Sequence, residues 1–281
     1  MRDYPALTIT WTHPVSPERT ELILAELDGF DVNAVEELPD GGVRLFFATS
    51  AARERAATHL STLRGLDLTR QEISDADWGA RSQAAIGAVT VGALTIAPPW
   101  AVTPELRAKG DRLITIVPSM GFGTGHHQST RLCLQHLQDI AVDGLRVLDV
   151  GTGSGVLAIA AARLGAKHVI AIDLDTDAIA NAKDNVGLNG VSDRVDLREV
   201  PLADTQLLGT FDVIVANLTG GHLMREAKHL RPLAEPHADL IASGFQTDES
   251  DAVIRAIEDA GWTLSTAAAE STWIAARFTR R

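Results

Sequence analysis

The distribution of apolar residues along the second half of the chain is that of a layered α/β domain. Five short apolar runs, RVLDV, HVIAID, RVDLRE, FDVIVAN and ADLIAS, are each too brief for a helix and rich in β-branched residues, and they read as buried strands. Between them lie SGVLAIAAARLG, TDAIANAKDNVGLNG, GGHLMREAKHLRPL and DESDAVIRAIEDAG, whose apolar positions recur at helical spacing. The series ends in two strand-like pieces, TLSTAAA and TWIAARFTR, with no helix between them. Strand and helix alternating in this way, closed by an antiparallel hairpin, predict an α/β sheet of doubly wound type.

The first seventy-odd residues have a different rhythm. ALTITW alternates, and SPERTELILAELDG carries a Ser cap, a proline in the first turn and helical spacing. AVEEL and VRLFFA flank the hairpin turn PDGG, SAARERAATHLSTL is again helical, and LDLTRQEI closes the pattern. This βαββαβ order predicts a small ferredoxin-like α+β sandwich over residues 1–74. It has no glycine-rich phosphate loop and no acid/base pair, so a docking, oligomerisation or scaffolding role fits it. Residues 75–104 read as a connecting segment that ends in a short strand before the paired prolines, and residues 105–281 form the second domain.

Composition narrows the partners. The 281 residues are 45% hydrophobic and 22% charged, and the formal net charge is −12, which argues against a nucleic-acid surface as the principal partner. The one cysteine, Cys133, rules out an internal disulfide and fits a reducing compartment. The N-terminus lacks the apolar core of a signal peptide, and no apolar run approaches the roughly 18 residues of a membrane span. A cytoplasmic protein is expected.

The chemistry concentrates where strand RVLDV runs into GTGSG and then into a helix. Gly151, Gly153 and Gly155 let the backbone turn tightly and approach a ligand closely. A dinucleotide fingerprint would read G-x-G-x-x-G; here Val156 stands at the sixth place, and an acid, Asp149, precedes the first glycine by two residues. A carboxylate there repels a pyrophosphate but suits a cationic ligand such as S-adenosylmethionine, which carries a sulfonium and an ammonium group. Asp173 ends the next strand, about twenty residues after Gly151, where a carboxylate accepts the hydroxyls of an adenosine ribose. Asp175 reads as solvated or capping. Asn217 closes strand FDVIVAN at the sheet edge where such folds keep their sites, able to hold a ligand through both amide donor and acceptor. His222 reads as a helix-face residue. His126 and His127 lack companion ligands at metal-binding spacing, so no metal is expected; His126 stays open as a base, and Cys133 reads as a packed core thiol.

A second glycine-rich stretch, SMGFGTGHHQST, precedes this loop with no strand–helix frame of its own. Taken together, PSMGFGTGHHQSTRLCLQHL, VLDVGTGSGVLAIAAARLGAKHVIAIDLDTDAIANAKDNV, DVIVANLTGGHL, IAPPW and the terminal STWIAARF resemble the bacterial ribosomal protein L11 methyltransferases from about Asp75 to Arg281. The resemblance implies a two-domain enzyme with a class I, Rossmann-like, seven-stranded sheet. Its small N-terminal domain grips a large-subunit ribosomal protein, and its larger domain methylates α-amines and lysine side chains with S-adenosylmethionine. It further implies that GFGTGHHQST covers the cofactor as a lid, with Phe122 against it, Gly123 keeping the cover thin and Thr130 near the methionine moiety. His126 and Gln128 stand where the family more often has threonine and proline, and NLTGGHL replaces its NILAGPL, both near the substrate mouth. A class I enzyme for another protein lysine or a small molecule, and a binding module without turnover, are the rival readings. Glycine spacing and Asp149 disfavour a nicotinamide oxidoreductase.

Overall fold

Why the five apolar runs are continuous and not alternating is plain in the computed structural model, which describes residues 3–11, 30, 32–38, 42–47, 49–63, 65–74, 86–118 and 125–280. The chain divides into two units, Met1–Ala85 and Ile86–Arg281.

In the first unit, β1 (Asp3–Trp11), β2 (Val32–Glu37), β3 (Val43–Phe47) and β4 (Leu66–Ser74) form an antiparallel sheet in the order β2-β3-β1-β4, the ferredoxin-like arrangement that the sequence pattern predicts. Helix α1 (Ser50–Leu60), capped by the Thr49 hydroxyl accepting from the Ala52 N–H, lays Ala52, Ala56, Ala57 and Leu60 against Leu7, Ile9, Val43, Leu45 and Phe47. The expected first helix, SPERTELILAELDG, lies outside the described residues.

The second unit opens with β5 (Val89–Val91) and β6 (Leu94–Ala97), an antiparallel pair. The short helix α2 (Pro104–Arg107) follows, and then β7 (Leu113–Thr115), which adds parallel to β6. Part of the segment read as a connector is therefore structured, because Val91, Leu94 and Ile96 are buried in the main core together with Ile114 and Ile116. The short strand expected before the paired prolines is β6, whereas β5 and β7, of three residues each, give too few alternations for periodicity to reveal them.

The large sheet is built from β8 (Arg146–Val150), β9 (His168–Asp173), β10 (Val195–Glu199), β11 (Phe211–Asn217), β12 (Ala234–Gln246), β13 (Trp262–Glu270) and β14 (Trp273–Arg280). Their order is β10-β9-β8-β11-β12-β14-β13; β8 to β12 run parallel and β14 runs antiparallel to both its neighbours. Val147, Val169, Val213 and Ile241 face one core, and Leu148, Ile170, Ile214 and Leu240 face the other. Both faces are covered, so the middles of these strands are apolar on both sides, and the polar positions gather near their ends. Helices α3 (Gln128–Asp139), α4 (Val156–Arg163) and α5 (Thr176–Leu188) cover the first face, and α6 (Gly220–Leu230) and α7 (Ser250–Asp259) the second. The strand order reverses between β8 and β11, which puts a crevice at their C-terminal ends.

Candidate cofactor site

The loop from β8 to α4 occupies that crevice. The N–H groups of Gly151 and Thr152 both donate to the Ile172 carbonyl at 2.9 Å, tying the turn to β9. Gly151 has φ +72°, and a Cβ there would run into the Leu218 side chain at the end of β11. Gly155, at φ +82°, caps α4 without a side chain, and its missing Cβ lets α5 approach, since a Cβ would lie 3.3 Å from that of Ala182.

The acids flank this loop. The Gly153 N–H donates to Asp173 Oδ2 at 2.9 Å, while Asp173 Oδ1 accepts from the N–H groups of Leu174 at 2.8 Å and Asp175 at 3.1 Å. The spacing reading thus puts Asp173 against the glycine loop, half-buried at the end of β9. Asp175 caps α5, accepting from the Asp177 N–H at 2.9 Å. Asp149 is 1% exposed. Its Oδ2 accepts from the Thr152 hydroxyl at 2.7 Å and the Ala158 N–H at 3.1 Å, which supplies the α4 cap that Gly155 cannot. Its Oδ1 is buried with no hydrogen-bond partner among the described residues. Burial pushes the Asp149 carboxyl up to about 6; the bonds from Thr152 and Ala158 oppose that rise, and the neighbouring Asp173 adds to it.

On the other side of the crevice the Asn217 amide donates to the buried Thr130 hydroxyl at 3.3 Å, joining the end of β11 to the first turn of α3. Beside it β12 bulges at Gly244, whose φ is +93° and where a Cβ would meet the Leu218 carbonyl at 2.5 Å and Asn217 Oδ1 at 3.0 Å. Phe122 and Gly123 lie outside the described residues; of the expected lid GFGTGHHQST, residues 125–130 are described and run into the first turn of α3.

The histidines have local roles. His127 caps α3, its Nδ1 accepting from the Ser129 N–H at 3.3 Å, and its ring stands edge-on to Trp273. Desolvation first, and the Arg131 charge second, hold its pKa below the ordinary value. The His126 ring pairs with the Gly87 carbonyl at 2.9 Å. His222 is exposed on α6, its Nδ1 2.7 Å from the Thr219 hydroxyl. Burial pushes the Cys133 thiol up to about 12, so it remains an inert core group.

The structure therefore gathers Asp149, Gly151, Gly153 and Asp173 on one side of the crevice, and Thr130 and Asn217 on the other. Three further residues that sequence reasoning passed over line one side of α5: Asn185 reaches the glycine loop at the Ser154 carbonyl, Asn181 accepts from the Asn185 amide, and Asn189, farther along, pairs with Thr115. Their signal was the four-residue spacing of asparagines, poor helix formers, along one helix face.

Comparison with known proteins bears on this site. The family model described as ribosomal protein L11 methyltransferase (PrmA) matches residues 23–281. The ribosomal protein L11 methyltransferase of Geobacter sulfurreducens is 38% identical over 259 residues, covering 88% of this chain and 84% of its own. That of Geobacter metallireducens is 35% identical over 260 residues, covering 88% and 85%. Among solved structures, ribosomal protein L11 methylase from Lactobacillus delbrueckii subsp. bulgaricus is similar with a TM-score of 0.63 and 30% identity, covering 69% of this chain and 99% of that one.

Proposed function

The chain belongs to the ribosomal protein L11 methyltransferase family, and from that premise we propose that it transfers methyl groups from S-adenosylmethionine to the large-subunit ribosomal protein L11. The observation that carries the reading is the crevice itself: a glycine turn pinned to Asp173, with the buried, half-partnered Asp149 behind it, at the point where the strand order reverses. These residues fit a cationic nucleoside. In this reading Asp173 holds the ribose, Gly151 and Gly153 admit the backbone close to the ligand, and the spare Asp149 oxygen provides a negative partner in a dry environment. Thr130 and Asn217, joined to each other, orient the methionine end, and Phe122 and Gly123 complete the pocket by resemblance to the family.

When bound, the cofactor supplies a methyl group on a sulfonium, ready for in-line displacement. The chain's part is alignment. Holding donor and amine in attack geometry accounts for on the order of 7–11 kcal/mol of the barrier. A lysine amine, with an ordinary pKa of about 10.4, attacks only when neutral, and desolvation at the mouth favours that form. Asn217, at the end of β11, positions the acceptor and does not act as a base. The acceptors are lysine side chains, the α-amine, or both. Residues 1–74, within the first unit, select the protein substrate, and the reaction takes place in the cytoplasm, where ribosomal proteins are made. Among the described residues no helix is long and apolar enough to cross a membrane. Intact-mass measurement of ribosomal proteins from a strain lacking this gene tests the proposal. L11 lighter by whole multiples of a methylene is expected, and unchanged L11 contradicts it.

A further inference from the structure

Strand β7 stands at the edge of its sheet, with β6 on one side and no strand on the other among the described residues. Side chains cover that free edge. Asn189 Oδ1 accepts from the Thr115 N–H at 2.8 Å, and its Nδ2 donates to the Thr115 carbonyl at 2.7 Å. Two residues on, Asn185 Oδ1 accepts from the Val117 N–H at 2.8 Å, and Asn181 Nδ2 reaches the Val117 carbonyl at 3.4 Å. A carboxamide offers the same donor and acceptor as a peptide unit, so three asparagines one helical turn apart stand in for a neighbouring strand.

Asn185 does one thing more. It is fully buried, and its Nδ2 also donates to the Ser154 carbonyl, at 2.9 Å, in the middle of GTGSG. Asn181 Oδ1, 3.3 Å away, accepts from the same amide and orients it. The close approach of α5 that brings Asn185 there is the one that Gly155 permits over Ala182. One side chain thus spans the glycine loop and the β7 edge.

We infer that Asn185 is a positioning residue of the cofactor site: it fixes the Ser154 peptide, and with it the glycine turn, against the segment Thr115–Val117. The role rests on the methyl-donor reading above. It acts through the loop and touches no reacting atom.

The test is a pair of near-isosteric variants in the full chain. Asn185→Asp keeps an acceptor for the Val117 N–H but sets an oxygen against Ser154 O. Asn189→Asp makes the equivalent change against Thr115 O, away from the loop. S-adenosylmethionine binding is read by calorimetry, KM for the cofactor and for L11 by steady-state kinetics, and folding by circular dichroism. Asn185→Asp should raise Kd and KM for the cofactor about tenfold, with KM for L11 changed less than about twofold; Asn189→Asp, fully folded, should leave cofactor Kd within about twofold. Equal weakening in the two variants, or normal binding by Asn185→Asp, overturns the inference. If Asn185→Asp does not fold, Asn181→Ala at its half-buried position should raise Kd about threefold, and an unchanged value overturns it. A wild-type chain that fails to bind S-adenosylmethionine defeats the donor reading and the inference together; wild-type binding with an indifferent Asn185→Asp defeats the inference alone.

Discussion

Two carboxylates a few residues from the same glycines play different parts because their surroundings differ. Asp173 is half-buried and accepts from the loop N–H groups, and it is the residue proposed to hold the ribose. Asp173→Ala should weaken S-adenosylmethionine binding by about 1.5–3 kcal/mol, the size of charged hydrogen bonds lost, when measured by calorimetry. Asp149 is enclosed, with its carboxyl pushed up to about 6. Because this value lies above the ordinary one, the group's contribution to stability is fullest at low pH and is withdrawn as the pH rises toward about 6. A cation bound beside it favours the ionised form and expels the proton. Cofactor affinity should therefore strengthen as the pH rises from 5, by at most about tenfold per unit, and level off above the Asp149 value. Asp149→Asn should flatten that dependence, and an identical slope in the variant would show that another group is responsible. The sequence made the acid beside the glycines visible. It did not show that one oxygen of Asp149 caps α4, because that depends on Gly155 leaving the helix uncapped and on three-dimensional proximity.

At the level of elements, the strand ends and the turns between them place the site. The Gly244 bulge in β12 lets Asn217 and Leu218 sit where they do. Gly244→Ala should cost about 1–3 kcal/mol, since the new methyl meets backbone at a positive φ, whereas Gly110→Ala, at φ +60° with open space around it, carries the backbone penalty alone. Thermal unfolding of the two variants gives the comparison, and equal destabilisation would mean that the bulge is not tightly packed. The parallel strands and their helices were legible because each run is long enough to show its period and is buried on both faces. Of the β5–β6–β7 sheet only β6, before the paired prolines, was legible; β5 and β7 are too short, and the free edge is closed by asparagine side chains, a pairing that strand periodicity does not encode.

For the molecule as a whole, the proposed division of labour rests on where the chemistry lies. Every described residue proposed for the cofactor falls in the unit Ile86–Arg281, which has its own two cores. A chain of residues 86–281 alone should bind S-adenosylmethionine with unchanged affinity and lose methylation of L11; full-rate methylation by it would contradict substrate selection by the first unit. That unit was readable as a fold from its βαββαβ order, yet its role was not, since it carries no motif whose chemistry names a partner. Methyl transfer to L11 is read by incubating the purified full-length protein with labelled S-adenosylmethionine and purified ribosomal protein L11, with Asp173→Ala alongside. Label in L11, whole multiples of a methylene added to its intact mass, and a large loss in the variant are expected. Cofactor bound normally with no label entering L11 would contradict the proposal.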